Sequence, residues 1–72
     1  MLRLSRHARQ RMLERSIACQ EVQDVLANPD VTFPDPKGNP CSVRTIDDRR
    51  IKVVTSKDDP SFVITVIDLD TT

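Results

Sequence analysis

Seventy-two residues with zero formal net charge and 31% charged side chains predict one small domain over residues 1–72. A chain of this size buries only about 60% of the surface its unfolded form exposes, so its core is thin. Tryptophan and tyrosine are missing and Phe33 and Phe62 are the only aromatics, which excludes a core built on large aromatic anchors and leaves valine, isoleucine and leucine to form it.

No apolar run approaches the roughly 20 residues of a membrane span, and the amino-terminal segment does not read as a signal peptide. A cytoplasmic chain with free thiols at Cys19 and Cys41 is therefore expected. His7, Cys19 and Cys41 never fall into paired ligand spacing, so neither metal nor cofactor is expected. The zero net charge hides an asymmetry. Residues 1–16 carry Arg3, Arg6, Arg9, Arg11 and Arg15 against Glu14, a net of +4, and the remainder carries −4. A segregated basic helix can meet a phosphate backbone even on a neutral protein. A solvated arginine-rich face is the plain alternative.

Residues 4–15 read as the first helix, capped by Ser5 and rich in good helix formers. Leu4, Ala8 and Met12 make a narrow apolar stripe along it. Ser16-Ile17 reads as a tight connection. A second helix spans about 19 to 27, with Val22, Val25 and Leu26 as its inner face, and Pro29 ends it. Ala18 cannot cap its entry with a side chain, and Glu21 in the first turn compensates in part through the helix dipole. Both helices are too short to stand alone and need a sheet to pack on.

That sheet follows. Val31-Thr32-Phe33 reads as a short edge strand, and residues 34–40 as a turn-rich loop around Gly38, the one glycine. Strands are predicted over 41–46, 50–55 and 62–68, separated by Asp47-Asp48-Arg49 and by residues 57–61 as hairpin loops. The expected architecture is α+β: two amino-terminal helices packed on one face of a twisted antiparallel sheet of three to four strands.

His7, Arg11 and Arg15, spaced i, i+4, i+8, share one row of the first helix beside the apolar stripe. Three positively disposed groups in line repel one another, and an anion would relieve that. Glu14 pairing with Arg11 would make the row ordinary. Arg44, Arg50 and Lys52 lie on the strands. A two- or four-residue loop between them pairs Ile46 with Ile51 and leaves Arg44 opposite Val53, whereas a three-residue loop pairs Arg44 with Lys52. The plain view of these charges is protection of the sheet against edge pairing.

The segments Ser5-Arg6-His7-Ala8, Arg11-Met12, Glu14-Arg15-Ser16-Ile17, Glu21-Val22 and residues 25–29 resemble the small bacterial domain of unknown function DUF4258, as do residues 50–54 and 63–66 in the carboxy-terminal strands. That family resembles the RelE/ParE-like toxins. The resemblance implies a RelE-like fold, metal-independent RNA cleavage or toxin-like binding, RNA as substrate and a small antitoxin as partner. By position, His7, Arg11, Arg15, Lys52 and Thr65 match family motif positions. Ser16 stands where the family prefers glycine, and Ile67 where it often has tyrosine.

In such a ribonuclease His7 would be the general base for the 2′-hydroxyl, with Lys52 and Thr65 completing the catalytic set. Arg11, Arg15 and Arg44 would bind phosphate and meet the developing charge. Lys52 or water would have to supply the acid. Two other readings compete: a non-catalytic module that binds nucleic acid or a protein through the arginine helix, and a structural module that uses a sheet edge to form a homodimer or accept a strand.

Overall fold

The computed structural model describes residues 2–70, which form two helices and a five-stranded mixed sheet in an α+β arrangement. In chain order these are β1 (Arg3–Leu4), α1 (Arg6–Arg15), α2 (Cys19–Ala27), β2 (Val31–Pro34), β3 (Pro40–Ile46), β4 (Arg49–Ser56) and β5 (Asp59–Asp68). Across the sheet the order is β1-β5-β4-β3-β2, with β1 parallel to β5 and the other neighbours antiparallel.

The expectation of three to four antiparallel strands is corrected by β1. Leu4 does not enter the first helix but pairs with Val63, and Ser5 separates strand from helix. The extended backbone of Ser5 (φ −65°, ψ 162°) lets its hydroxyl accept from the Ala8 N–H at 2.9 Å. The same hydroxyl donates to the Ile64 carbonyl, and the Ser5 N–H donates to the Val63 carbonyl at 3.0 Å. One residue thus caps α1 and bolts its start to β5.

Both hairpin loops are shorter than expected. Asp47-Asp48 alone joins β3 to β4, with positive φ at both residues (51° and 65°), the geometry of a two-residue turn of type I′. Arg49 therefore belongs to the strand, and Arg44 lies opposite Ile51, not opposite Val53 or Lys52. Lys57-Asp58 joins β4 to β5, so β5 begins at Asp59.

The core gathers Ala8, Met12, Ile17, Val22 and Val25 from the helices and their connection with Ile51, Val53, Val63 and Val66 from the sheet. Helix α1 packs mainly on β5, and α2 on β3 and β4. Each fully buried valine or isoleucine contributes about 1.5–3 kcal/mol relative to leaving it in water. Ala8, with no exposed surface, marks the close approach of α1.

Val63 and Val66 are an odd number of residues apart, so simple alternation would send them to opposite faces. Register shifts around Thr55 resolve this. Val54 pairs with Thr65 but Thr55 pairs with Val63, so Ile64 is the extra residue of a bulge and both valines reach the core. The other face of the sheet carries Cys41 and Val43 of β3 and Val54 of β4, all buried outside the main cluster, with Phe33 of β2 opposite Cys41.

Candidate nucleic-acid interface

Helix α1 is held at both ends. Beyond the Ser5 cap, its last turn closes on Ser16, which takes the left-handed conformation (φ 53°, ψ 46°) that favours glycine. The Ile17 N–H then donates to the Met12 carbonyl at 2.8 Å, a Schellman-type ending.

Two further carbonyls at that end accept from the sheet. Arg49 donates through Nη1 to the Arg15 carbonyl at 2.7 Å and through Nη2 to the Ser16 carbonyl at 3.3 Å. Its Nη2 also meets Glu21 Oε2 at 2.9 Å, and its Nε lies 3.9 Å from Asp68 Oδ2. Glu21 in turn accepts the Ala18 N–H at 2.9 Å through Oε1, the half of a capping box that needs no side chain at the cap residue. That backbone bond holds the Glu21 carboxyl below its ordinary range; burial opposes the shift and Arg49 adds to it. The guanidinium of Arg49 therefore ties together the end of α1, the start of α2, β4 and β5.

With its backbone fixed, α1 presents Arg6, His7, Arg9, Arg11 and Arg15 as exposed side chains. Among the described residues, five carboxylates pair with strand cations: Asp59 with Arg3, Asp30 with Arg44, Glu21 and Asp68 with Arg49, and Asp70 with Arg50, whereas Asp24, Asp35, Asp47, Asp48 and Asp58 have no cation within 4.0 Å. On α1 only Arg11 has an acidic neighbour, Glu14 at 3.6 Å, and that pair is solvent-exposed. An exposed i, i+3 pair contributes only a few tenths of a kcal/mol, so it leaves Arg11 available. Arg6, Arg9 and Arg15 have no carboxylate oxygen within 4.0 Å among the described residues.

The six residues singled out from sequence fall into three places. His7, Arg11 and Arg15 share α1. Lys52 lies opposite Val43 and Ile67, and Thr65 opposite Val54, so both occupy the face away from the main core. The Lys52 ammonium sits 5.7 Å from the centre of the Phe33 ring, a cation–π contact. Arg44 is engaged at a third place, donating to the Asn28 carbonyl at 2.7 Å beside Asp30 at 3.7 Å. A cleft joining His7 to Lys52 and Thr65 is thus not formed within this chain. The bulge at Ile64 is the physical reason for Thr65, because without it Thr65 would share the face of Val63.

Sequence reasoning missed Arg49, placed in a loop because Asp-Asp lacks the glycine that marks most two-residue hairpins. Among the described residues, no three His, Cys, Asp or Glu side chains gather as metal ligands. Cys41 is buried, which pushes its thiol up, and Cys19 is exposed.

What the fold and surface define is a small α+β domain whose first helix, pinned at both ends, carries most of the unneutralised arginines. The chain belongs to the family described as domain of unknown function (DUF4258), whose model matches residues 4–68. No curated protein and no solved structure is significantly similar to it.

Proposed function

We propose that this chain binds RNA through the exposed His7–Arg11–Arg15 row of α1, as a toxin-type module of the RelE-like class. The observation that carries the reading is the distribution of ion pairs. Arg3, Arg44, Arg49 and Arg50 each hold a carboxylate, while α1 keeps guanidinium groups with at most one exposed acidic neighbour among the described residues. Guanidinium groups on a rigid helix suit phosphate oxygens, which they can engage with two parallel hydrogen bonds.

The test is the salt dependence of binding to a labelled single-stranded RNA. Each phosphate contact contributes about −0.7 to the slope of log K against log salt concentration. Arg11→Ala and Arg15→Ala are each expected to flatten the slope by about that amount. Arg50→Ala, whose guanidinium already holds Asp70 at 3.0 Å, is expected to leave it unchanged. A slope near zero for the unaltered protein overturns the reading.

Cleavage at the same row is a second reading, favoured by the exposed position of His7 in the first turn of α1, one turn from Arg11. A neutral imidazole there would take the 2′-hydroxyl proton while arginines meet the charge of the phosphorane. Lys52 and Thr65 face away from the main core, so water has to supply the acid. Incubation with RNA in EDTA is the assay; cleavage lost in a folded His7→Ala variant supports it, and intact RNA under all conditions removes it. A cognate antitoxin would be the protein partner implied by this class, and a homodimer through the β2 edge is tested by solution mass.

A further inference from the structure

Arg6, Arg9 and Leu13 are spaced i, i+3, i+7 and so share a flank of α1 different from the one that carries His7 and Arg11. This flank borders α2. A groove of about 300 Å³ runs there, lined by Leu4, Arg9, Met12, Leu13, Ile17 and Cys19. A smaller hollow of about 120 Å³ continues it past Leu4 and Cys19 to Leu2 and Val22. Leu13 is 83% exposed, the most exposed of the large apolar side chains among the described residues, on a helix otherwise faced largely with charge. Leu4, Met12 and Ile17 line the groove with it, so Leu13 extends an apolar surface rather than standing alone. Arg9 at its rim, and Arg6 one turn before it on the same flank, have no carboxylate within 4.0 Å among the described residues.

We propose that the groove between α1 and α2 is a docking site for an acidic amphipathic segment of a partner protein. Charge complementarity selects that occupant. A segment with apolar side chains at i, i+3 or i+4 and i+7 fills the channel from Leu2 to Leu13, and glutamate or aspartate along its edges meets Arg9 and Arg6. A basic or neutral segment leaves those guanidinium groups facing like charge or nothing. A second copy of the chain offers a poorer match, because the acids of its strands and loops that have no cation within 4.0 Å among the described residues, Asp35, Asp47, Asp48 and Asp58, lie in loops and not beside an apolar helix face. The inference stands apart from RNA binding, which concerns the other flank of the helix.

The test uses the full chain and two synthetic peptides, one with leucines on a single helical face and glutamates beside them, the other with lysines replacing the glutamates. Fluorescence anisotropy reports affinity, and the alkylation rate of exposed Cys19 reports occupancy of the groove. The glutamate peptide is expected to bind at least about tenfold more tightly than the lysine peptide and to slow alkylation of Cys19. Leu13→Asp and Arg9→Glu are each expected to weaken it by about tenfold, with helical circular dichroism retained because both side chains are exposed. Equal binding of the two peptides, indifference to Leu13→Asp, or no binding at all overturns the proposal. So does protection of Cys19 by RNA, or a dimer mass that Leu13→Asp returns to monomer, since these assign the groove to a different occupant.

Discussion

Replacing Arg49 by alanine tests whether one guanidinium joins the helices to the sheet. The side chain donates to the Arg15 and Ser16 carbonyls and pairs with Glu21, and it lies 3.9 Å from Asp68. Hydrogen bonds to charged groups contribute about 1.5–3 kcal/mol each when protected. Arg49 is 26% exposed and Glu21 21%, so water recovers part of that loss. Asp68, at 8%, is poorly placed to recover its share. The net destabilisation is therefore about 2–3 kcal/mol. A domain of this length is expected to hold only about 4–11 kcal/mol in total. At about 4–8 °C per kcal/mol, the midpoint should fall by about 8–24 °C. Lysine keeps the charge but not the fork, and should lose about 1 kcal/mol. With no tryptophan or tyrosine, urea unfolding has to be followed by far-ultraviolet circular dichroism. Arg49→Ala within about 0.5 kcal/mol of the parent, or strict additivity with Glu21→Gln, would refute the clamp.

Glu21 also sets a pH dependence. Its folded-state pKa lies below the ordinary value of 4.5, first because of the Ala18 N–H bond and then Arg49, so its stabilisation is complete above pH 4.5 and is lost as pH falls through the lowered value. Glu21→Gln should flatten that part of the acid unfolding curve, and an unchanged curve argues against the assignment. Ser16→Gly should stabilise by up to about 1 kcal/mol, because glycine adopts the left-handed turn without a Cβ clash; thermal unfolding reads it, and a loss of stability would contradict the strain. In native protein one thiol, Cys19, should react promptly with a disulfide reagent, with the second, Cys41, released only on unfolding. Two prompt thiols would show that the helix-free face opens readily.

The two helices and their inner residues were readable because Ala8, Met12, Val22 and Val25 recur at helical spacing, and Ser5 and Pro29 mark boundaries through fixed backbone preferences. The extra strand was not. Arg3–Leu4 is two residues long and is defined only by a parallel partner nearly 60 positions away, Phe62 and Val63. Local pattern carries no such information. Residue Leu4 looked like the first step of the helical stripe because it does border the same core, though from a strand. The hairpins misled for a different reason. Asp-Asp at positive φ is an uncommon choice for a two-residue turn, so a longer loop was the natural expectation and Arg49 was assigned to it.

The bulge at Ile64 bears most on function. It inserts one residue between Val63 and Thr65, so β5 turns two valines inward and sends Thr65 to the side of Val54. Lys52 shares that side, facing Phe33 across the β3 strand. Lys52 and Thr65 and the cations of α1 therefore occupy opposite surfaces of a thin domain. Any anion bound at His7, Arg11 and Arg15 meets guanidinium groups that are positioned by Ser5 at one end of the helix and Arg49 at the other. Both anchors bond to backbone groups of the helix, so it can be rigid without its cations being neutralised. That division of labour explains why a chain with zero net charge can still present a cationic surface: the arginines of the strands hold carboxylates, and those of α1 other than Arg11 do not.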